Sequence, residues 1–294
     1  PLFRSLEEPL SGWLNGKDCD TRQLSMLAHA YVRVGLTQSP VLPLVWERAR
    51  RMAPSSDAHG VSVMIFSVTK ASVLGTGTGG EELVAALGAR LVELLQSDRS
   101  VEPTTIVVAS YALARGGCSE FVPRELWREF ALQATKEETL SSISLSEAAN
   151  LASAFATVAK ELPEEELLEA GLQEAFEGFF EALRSRVEAA VTARGPTNVA
   201  QSATAGEVSP LVASKLAAAF GDARCYSAAE VVRQLGYRCL MPRLSSTKTT
   251  SGERLGVGPL RSVAIALSRL KVRDDDLLQA LTAAQRPTGK QRRR

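Results

Sequence analysis

One degenerate phrase recurs along the chain and limits what it can fold into. Leu27-Ala28-His29-Ala30-Tyr31 is echoed by Leu151-Ala152-Ser153-Ala154-Phe155 and by Leu216-Ala217-Ala218-Ala219-Phe220. Looser echoes are Val108-Ala109-Ser110-Tyr111-Ala112 and Val263-Ala264-Ile265-Ala266-Leu267, with Ile65 as a weaker anchor between the first two. Most steps between first anchors are roughly 38 to 47 residues and one is about 65, the period of stacked helical hairpins. A hairpin buries its apolar stripe only against neighbouring hairpins, so several must stack to be stable. The pattern predicts an all-α fold, an α-solenoid of about five to six helical hairpins. The anchors themselves are packing positions, and alanine at their second and fourth places lets helices approach closely.

The helix from Pro259 shows the physics. Leu260, Val263, Ala264, Leu267 and Leu270 recur at three- and four-residue steps and form one stripe. Arg261, Ser268, Arg269 and Lys271 lie off it. Aromatics make up 5% of the chain, which suits helix packing through small residues better than a sheet core.

Local signals divide the array. Gly35 is placed to end the first helix as a C′ glycine. Ser144 and Glu147 form a capping-box pattern, as do Ser227 and Glu230. Ser209-Pro210 reads as a cap followed by a first-turn proline. Pro163 opens a long acidic helix that is expected to run to about Val191. Residues 1–192 are therefore read as repeats one to four, ending in this helix. Residues 193–208 contain Gly195-Pro196 and read as an inserted loop. Residues 209–285 are repeats five and six, and 286–294 are a basic tail. The polar run Ser245–Gly252 lies in a loop from Leu244 to Val257 that separates the last two repeats. Pro1 rather than Met opens the chain, which fits either a removed presequence or a start inside a longer protein.

Charge is polarised within a nearly neutral chain of net charge +1. From Glu137 to Glu188 there are 12 acidic and 3 basic residues; from Arg224 to Arg294 there are 15 basic and 5 acidic. Such asymmetry suits different partners at different regions, and solvated helix faces are the plainer reading of both blocks. No apolar run approaches the roughly 18 residues needed to span a bilayer.

Chemistry finds little raw material. Cys19, Cys118, Cys225 and Cys239 show no CxxC spacing, and only His29 and His59 are available, so no metal site and no disulfide framework is expected. Buried free thiols are the expectation. The loop Gly75-Thr76-Gly77-Thr78-Gly79-Gly80 precedes a helix, but no Gly-Lys-Ser/Thr follows it, so it reads as a connection between helices. The run Glu161, Glu164, Glu165, Glu166 and Glu169 fits the first turns of a helix, where carboxylates suit the macrodipole. No nucleophile-and-base set can be assembled, so no catalytic residues, no cofactor and no enzyme activity are expected.

Leu24-Ser25-Met26-Leu27-Ala28-His29-Ala30-Tyr31-Val32-Arg33-Val34-Gly35 resembles the organellar helical-hairpin repeats, as does Ser146–Phe155. These are the octotricopeptide and heptatricopeptide repeats, related to those of FAST-kinase-like proteins. The resemblance implies a mitochondrial location, with plastid as the alternative, and RNA binding in RNA processing or in divergent organellar ribosomes. Aligned on the anchors, Arg33 is matched by Ala114, Thr157, Asp222 and Arg269. That mixture argues against a base-by-base reading code.

Two functions follow. In the first, the chain associates with RNA, ribosomal RNA being the expected kind, through its basic C-terminal region. The candidate phosphate contacts are Arg254, Arg261, Arg269, Lys271, Arg273, Lys290, Arg292, Arg293 and Arg294, because Lys and Arg contact phosphates without a sequence-specific pocket. In the second, it is a protein–protein scaffold of an organellar complex. The acidic region would then meet other proteins.

Overall fold

The computed structural model describes residues 5–15, 19–71, 79–97, 101–192, 208–241 and 257–285. Among them the chain is all helix, with no strand. Its helices pack as repeated hairpins within two compact units. Unit 1 comprises Pro1–Thr139 with Glu164–Ala175, and unit 2 comprises Leu140–Pro163 with Phe176–Arg294.

In unit 1, α1 (Glu7–Asn15) packs on α3. Three hairpins follow: α2 (Thr21–Arg33) with α3 (Val41–Met52), α4 (Ala58–Lys70) with α5 (Gly80–Gln96), and α6 (Pro103–Arg115) with α7 (Arg124–Thr135). The first helices of the hairpins stack side by side, α2 on α4 on α6, and the second helices do likewise, α3 on α5 on α7. This two-layer stacking is the solenoid arrangement expected from the repeat. Next come α8 (Glu137–Ser142) and the short α10 (Glu164–Glu169), the latter in unit 1.

In unit 2 the first helices are α9 (Leu145–Glu161), α12 (Pro210–Asp222) and α14 (Val257–Arg269), again stacked in that order. Their partners are α11 (Leu172–Thr192, in unit 2 from Phe176), α13 (Ala229–Leu235, continued by a π turn over Gly236–Leu240) and α15 (Asp275–Gln285).

The first helices share one register. Five of them, α2, α4, α6, α12 and α14, are each 13 residues long. Position 11 is Tyr31, Val68, Leu113, Phe220 and Leu267, each 0% exposed. Phe155 holds the same place in α9. This corrects two anchors. Met64, not Ile65, and Ala109, not Val108, correspond to Leu27, and Val108 is exposed. The cause is local: Ile106-Val107-Val108 is a continuous apolar run, so the stripe is ambiguous by one residue.

Helix ends follow backbone chemistry. Asp20 caps α2 in a capping box with Gln23, and Ser144 caps α9 in one with Glu147. Ser209 accepts from the Val212 N–H at 3.3 Å, with Pro210 in the first turn. Helix α2 ends in a Schellman turn: Gly35 has φ of +80°, and the Leu36 N–H reaches the Tyr31 carbonyl at 2.9 Å.

Two expectations fail. The acidic helix from Pro163 is not continuous. It breaks after α10, where Gly171 adopts φ of +63° and its N–H bonds the Leu168 carbonyl. Ser227 and Glu230 do not form a capping box. A 3₁₀ turn over Tyr226–Ala228 leads into α13, and the Ser227 hydroxyl instead donates to the Glu181 carboxylate of α11. That bond, followed by Arg184, holds the Glu181 carboxyl below the usual range.

Candidate nucleic-acid interface

The predicted phosphate contacts separate into three groups. Arg254, Lys290, Arg292, Arg293 and Arg294 lie outside the described residues, as do positions 75–78, 193–207 and 244–256 of the loops noted above. Arg269 is engaged. At the C-terminal ends of the first helices in unit 2, the Asp222 carboxylate lies between Arg269 and Lys160, whose Nζ is 3.0 Å from Oδ2. Burial, and then the charge of Arg269, hold Lys160 below the usual lysine range. An arginine in this cluster offers a phosphate less net charge than its sequence position suggests.

Arg261, Lys271 and Arg273 are exposed, and among the described residues none has an acidic partner. The structure does not gather all three. Arg261 lies in the second turn of α14, about 15 Å along the helix from Lys271. Lys271 and Arg273 sit at its far end, where they are joined by Arg224, a residue the sequence reading missed.

Arg224 and Lys271 occupy equivalent places on adjacent helices. Each is the second residue past the end of a first helix, at the position of Gly35 and Gly117 in unit 1. Each takes the left-handed conformation there, with φ of +52° and +56°. The Cys225 N–H bonds the Phe220 carbonyl at 3.0 Å, and the Val272 N–H bonds the Leu267 carbonyl at 2.9 Å, completing the same Schellman turn as Gly35. Helices α12 and α14 approach closely: a Cβ built on Gly221 would lie 2.7 Å from the Ala266 Cα. The two cations therefore stand about one helix spacing apart, roughly 8–10 Å. Lys271 Nζ also lies 5.7 Å from the centre of the exposed Tyr226 ring. A non-glycine residue in this conformation costs about 1–2 kcal/mol, partly offset by a cation's attraction to a helix C-terminus. The neighbouring carboxylate Asp274 is committed elsewhere. It accepts from the Leu277 N–H at 3.0 Å and the Tyr237 hydroxyl at 2.8 Å.

Unit 1 carries a pattern that sequence alignment concealed. With the register corrected, position 13 is Arg33 in α2, Lys70 in α4 and Arg115 in α6, where the anchor alignment had placed Ala114. All three cations are exposed, and among the described residues none has an acidic partner. Helices α2, α4 and α6 contain no Asp or Glu. The second helices differ: Arg50 and Arg51 pair with Glu47, Arg90 with Glu93, and Arg124 with Glu166 of α10.

Among the described residues no three His, Cys, Asp or Glu side chains gather as a metal site. Cys19, Cys118 and Cys239 are buried and in no disulfide, and Cys225 is half-buried, its pKa raised chiefly by burial. A cavity between Leu24, Gly60, Met64 and Leu87 has room for about one water. Among the described residues no helix is long and apolar enough to cross a membrane. No protein-family model matches the chain, and no curated protein matches it at a significant level.

Proposed function

We propose that this chain is a non-catalytic α-helical repeat protein of an organelle that associates with RNA, as a structural component of a divergent mitochondrial ribosome. The observation that carries the reading is the pair Arg224 and Lys271. Both are cations held in a backbone conformation that glycine would occupy without strain. Strained residues concentrate where function requires them, and here the requirement is charge at two adjacent helix ends. Arg261 and Arg273 add to the same polarity. The resemblance of the repeats to organellar RNA-associated hairpins supports both the partner and the compartment. A scaffold without RNA contact is the competing reading.

The strained positions allow a clean test. Arg224→Gly and Lys271→Gly remove charge while relieving the backbone, so each variant should be as stable as the parent or slightly more stable. Combined with Arg261→Gln and Arg273→Gln, they delete four cations. Each phosphate contact contributes about 0.7 to the logarithmic salt slope for single strands, so the slope should fall by roughly 3. Affinity for single-stranded RNA would be measured from low to moderate salt. An unchanged slope, in a variant whose melting temperature has not dropped, would remove these residues from RNA binding and favour the scaffold.

A further inference from the structure

The first helices of unit 1 present three rows of side chains across α2, α4 and α6. Position 6 is apolar throughout: Met26, Val63 and Val108, with Met26 62% and Val108 39% exposed. Position 9 carries rings: His29, Phe66 and Tyr111, with Phe66 37% exposed and the His29 and Phe66 ring centres 5.8 Å apart. Position 13 is the cation row of Arg33, Lys70 and Arg115; the Arg115 guanidinium lies 5.9 Å from the centre of the Tyr111 ring.

Packing accounts for other positions of these helices but not for these. Positions 4 and 11 are buried in all three. Cations at a helix C-terminus serve the macrodipole, which explains row 13 in part. Neither effect asks for methionine, valine and phenylalanine in water. In unit 2 the same positions are different. Row 6 is Asn150, Lys215 and Ser262, and Lys215 Nζ bonds Asn150 Oδ1 at 3.2 Å. Row 13 is Thr157, Asp222 and Arg269, the last two ion-paired. The apolar, cation-edged strip is thus particular to unit 1 and is not a by-product of the repeat.

We infer that this face of unit 1 docks an acidic amphipathic helix of a partner protein. Exposed apolar side chains rimmed by polar groups mark interaction surfaces, and Met, aromatic residues and Arg are the types enriched in interface cores. An RNA strand would use the cations and leave row 6 without a role. The dimensions suit a helix laid across the three. Neighbouring first helices are about 8–10 Å apart, so the rows span about 20 Å, or about 13 residues of partner helix. Row 13 lies one helical turn from row 9. A partner with leucines at i, i+3, i+4 and i+7 on rows 6 and 9 would therefore bring glutamates on one flank to Arg33, Lys70 and Arg115. The helices α2, α4 and α6 themselves carry no carboxylate to repel that flank.

The test uses the full chain and two synthetic 16-residue helical peptides with the same leucine stripe, one flanked by glutamates and one by lysines. The acidic peptide should bind at least about tenfold more tightly than the basic one. Arg33→Gln, Lys70→Gln and Arg115→Gln together, all at exposed positions, should abolish that preference. Met26→Ser with Val108→Ser should weaken the acidic peptide about tenfold and leave the preference intact. Equal binding of the two peptides, or an unchanged preference in the charge variant, overturns the inference. So does displacement of the acidic peptide by single-stranded oligouridine whose own binding the charge variant abolishes; that result assigns the face to nucleic acid.

Discussion

Phe155→Ala is expected to destabilise unit 2 by about 3–5 kcal/mol, the range for truncating a buried phenylalanine. Phe155 is fully buried at the common core position of the first helices. Its ring stacks on Phe176 at 5.0 Å and meets Phe179 edge-on at 4.9 Å. The contacts continue from Phe179 to Phe180 and from Phe180 to Phe220, so the cluster ties α9, α11 and α12 together. Alanine leaves a cavity among helices whose other contacts cannot collapse into it without moving the rings. Phe155→Leu, which keeps most of the volume, should cost much less. Denaturant unfolding followed by far-UV circular dichroism reads both. A loss below about 1 kcal/mol for the alanine variant would mean that this cluster does not organise unit 2.

Gly221→Leu should be nearly as damaging, for the opposite reason. A Cβ at Gly221 would stand 2.7 Å from the Ala266 Cα and 2.9 Å from its Cβ. The obstacle is backbone, so the helices α12 and α14 must separate. Two effects compete in the milder Gly221→Ala. Helix propensity favours alanine by about 1 kcal/mol, whereas overpacking costs about 1–3 kcal/mol. Contact with a main-chain atom puts this site at the upper end, so Gly221→Ala is destabilising on balance. Gly221→Leu adds further volume and should exceed about 3 kcal/mol. Stabilisation by Gly221→Ala in thermal unfolding would show that α12 and α14 are not packed this closely.

The parts of the fold legible in the sequence are those governed by local chemistry. The capping box of Ser144 and Glu147, the Ser209-Pro210 start and the Gly35 stop depend on backbone groups a few residues away. The hairpin repeat was legible because buried residues return at helical spacing. Register was harder. In Ile106-Val107-Val108 every residue is apolar, so pattern alone cannot tell which one faces water. That one-residue slip replaced Arg115 with Ala114 and hid the cation row of unit 1. Ser227 satisfies every local rule for a cap, yet its hydroxyl is taken by Glu181, 46 residues earlier. Arg269 likewise reads as a free cation until Asp222 is placed beside it. Arg224 escaped notice because its sequence position carries no motif; only its left-handed backbone, shared with Lys271, singles it out.

On the proposals above, RNA binds the cations of unit 2 and a protein helix binds the first helices of unit 1. Ultraviolet cross-linking of the full chain to bound single-stranded RNA, followed by mass spectrometry of the cross-linked peptides, separates the two faces directly. The prediction is cross-links in peptides spanning residues 224–227 and 261–273, with Tyr226 beside Lys271 a favoured site. Cross-links confined to the peptides of α2, α4 and α6, or none at RNA concentrations that saturate binding, would contradict it.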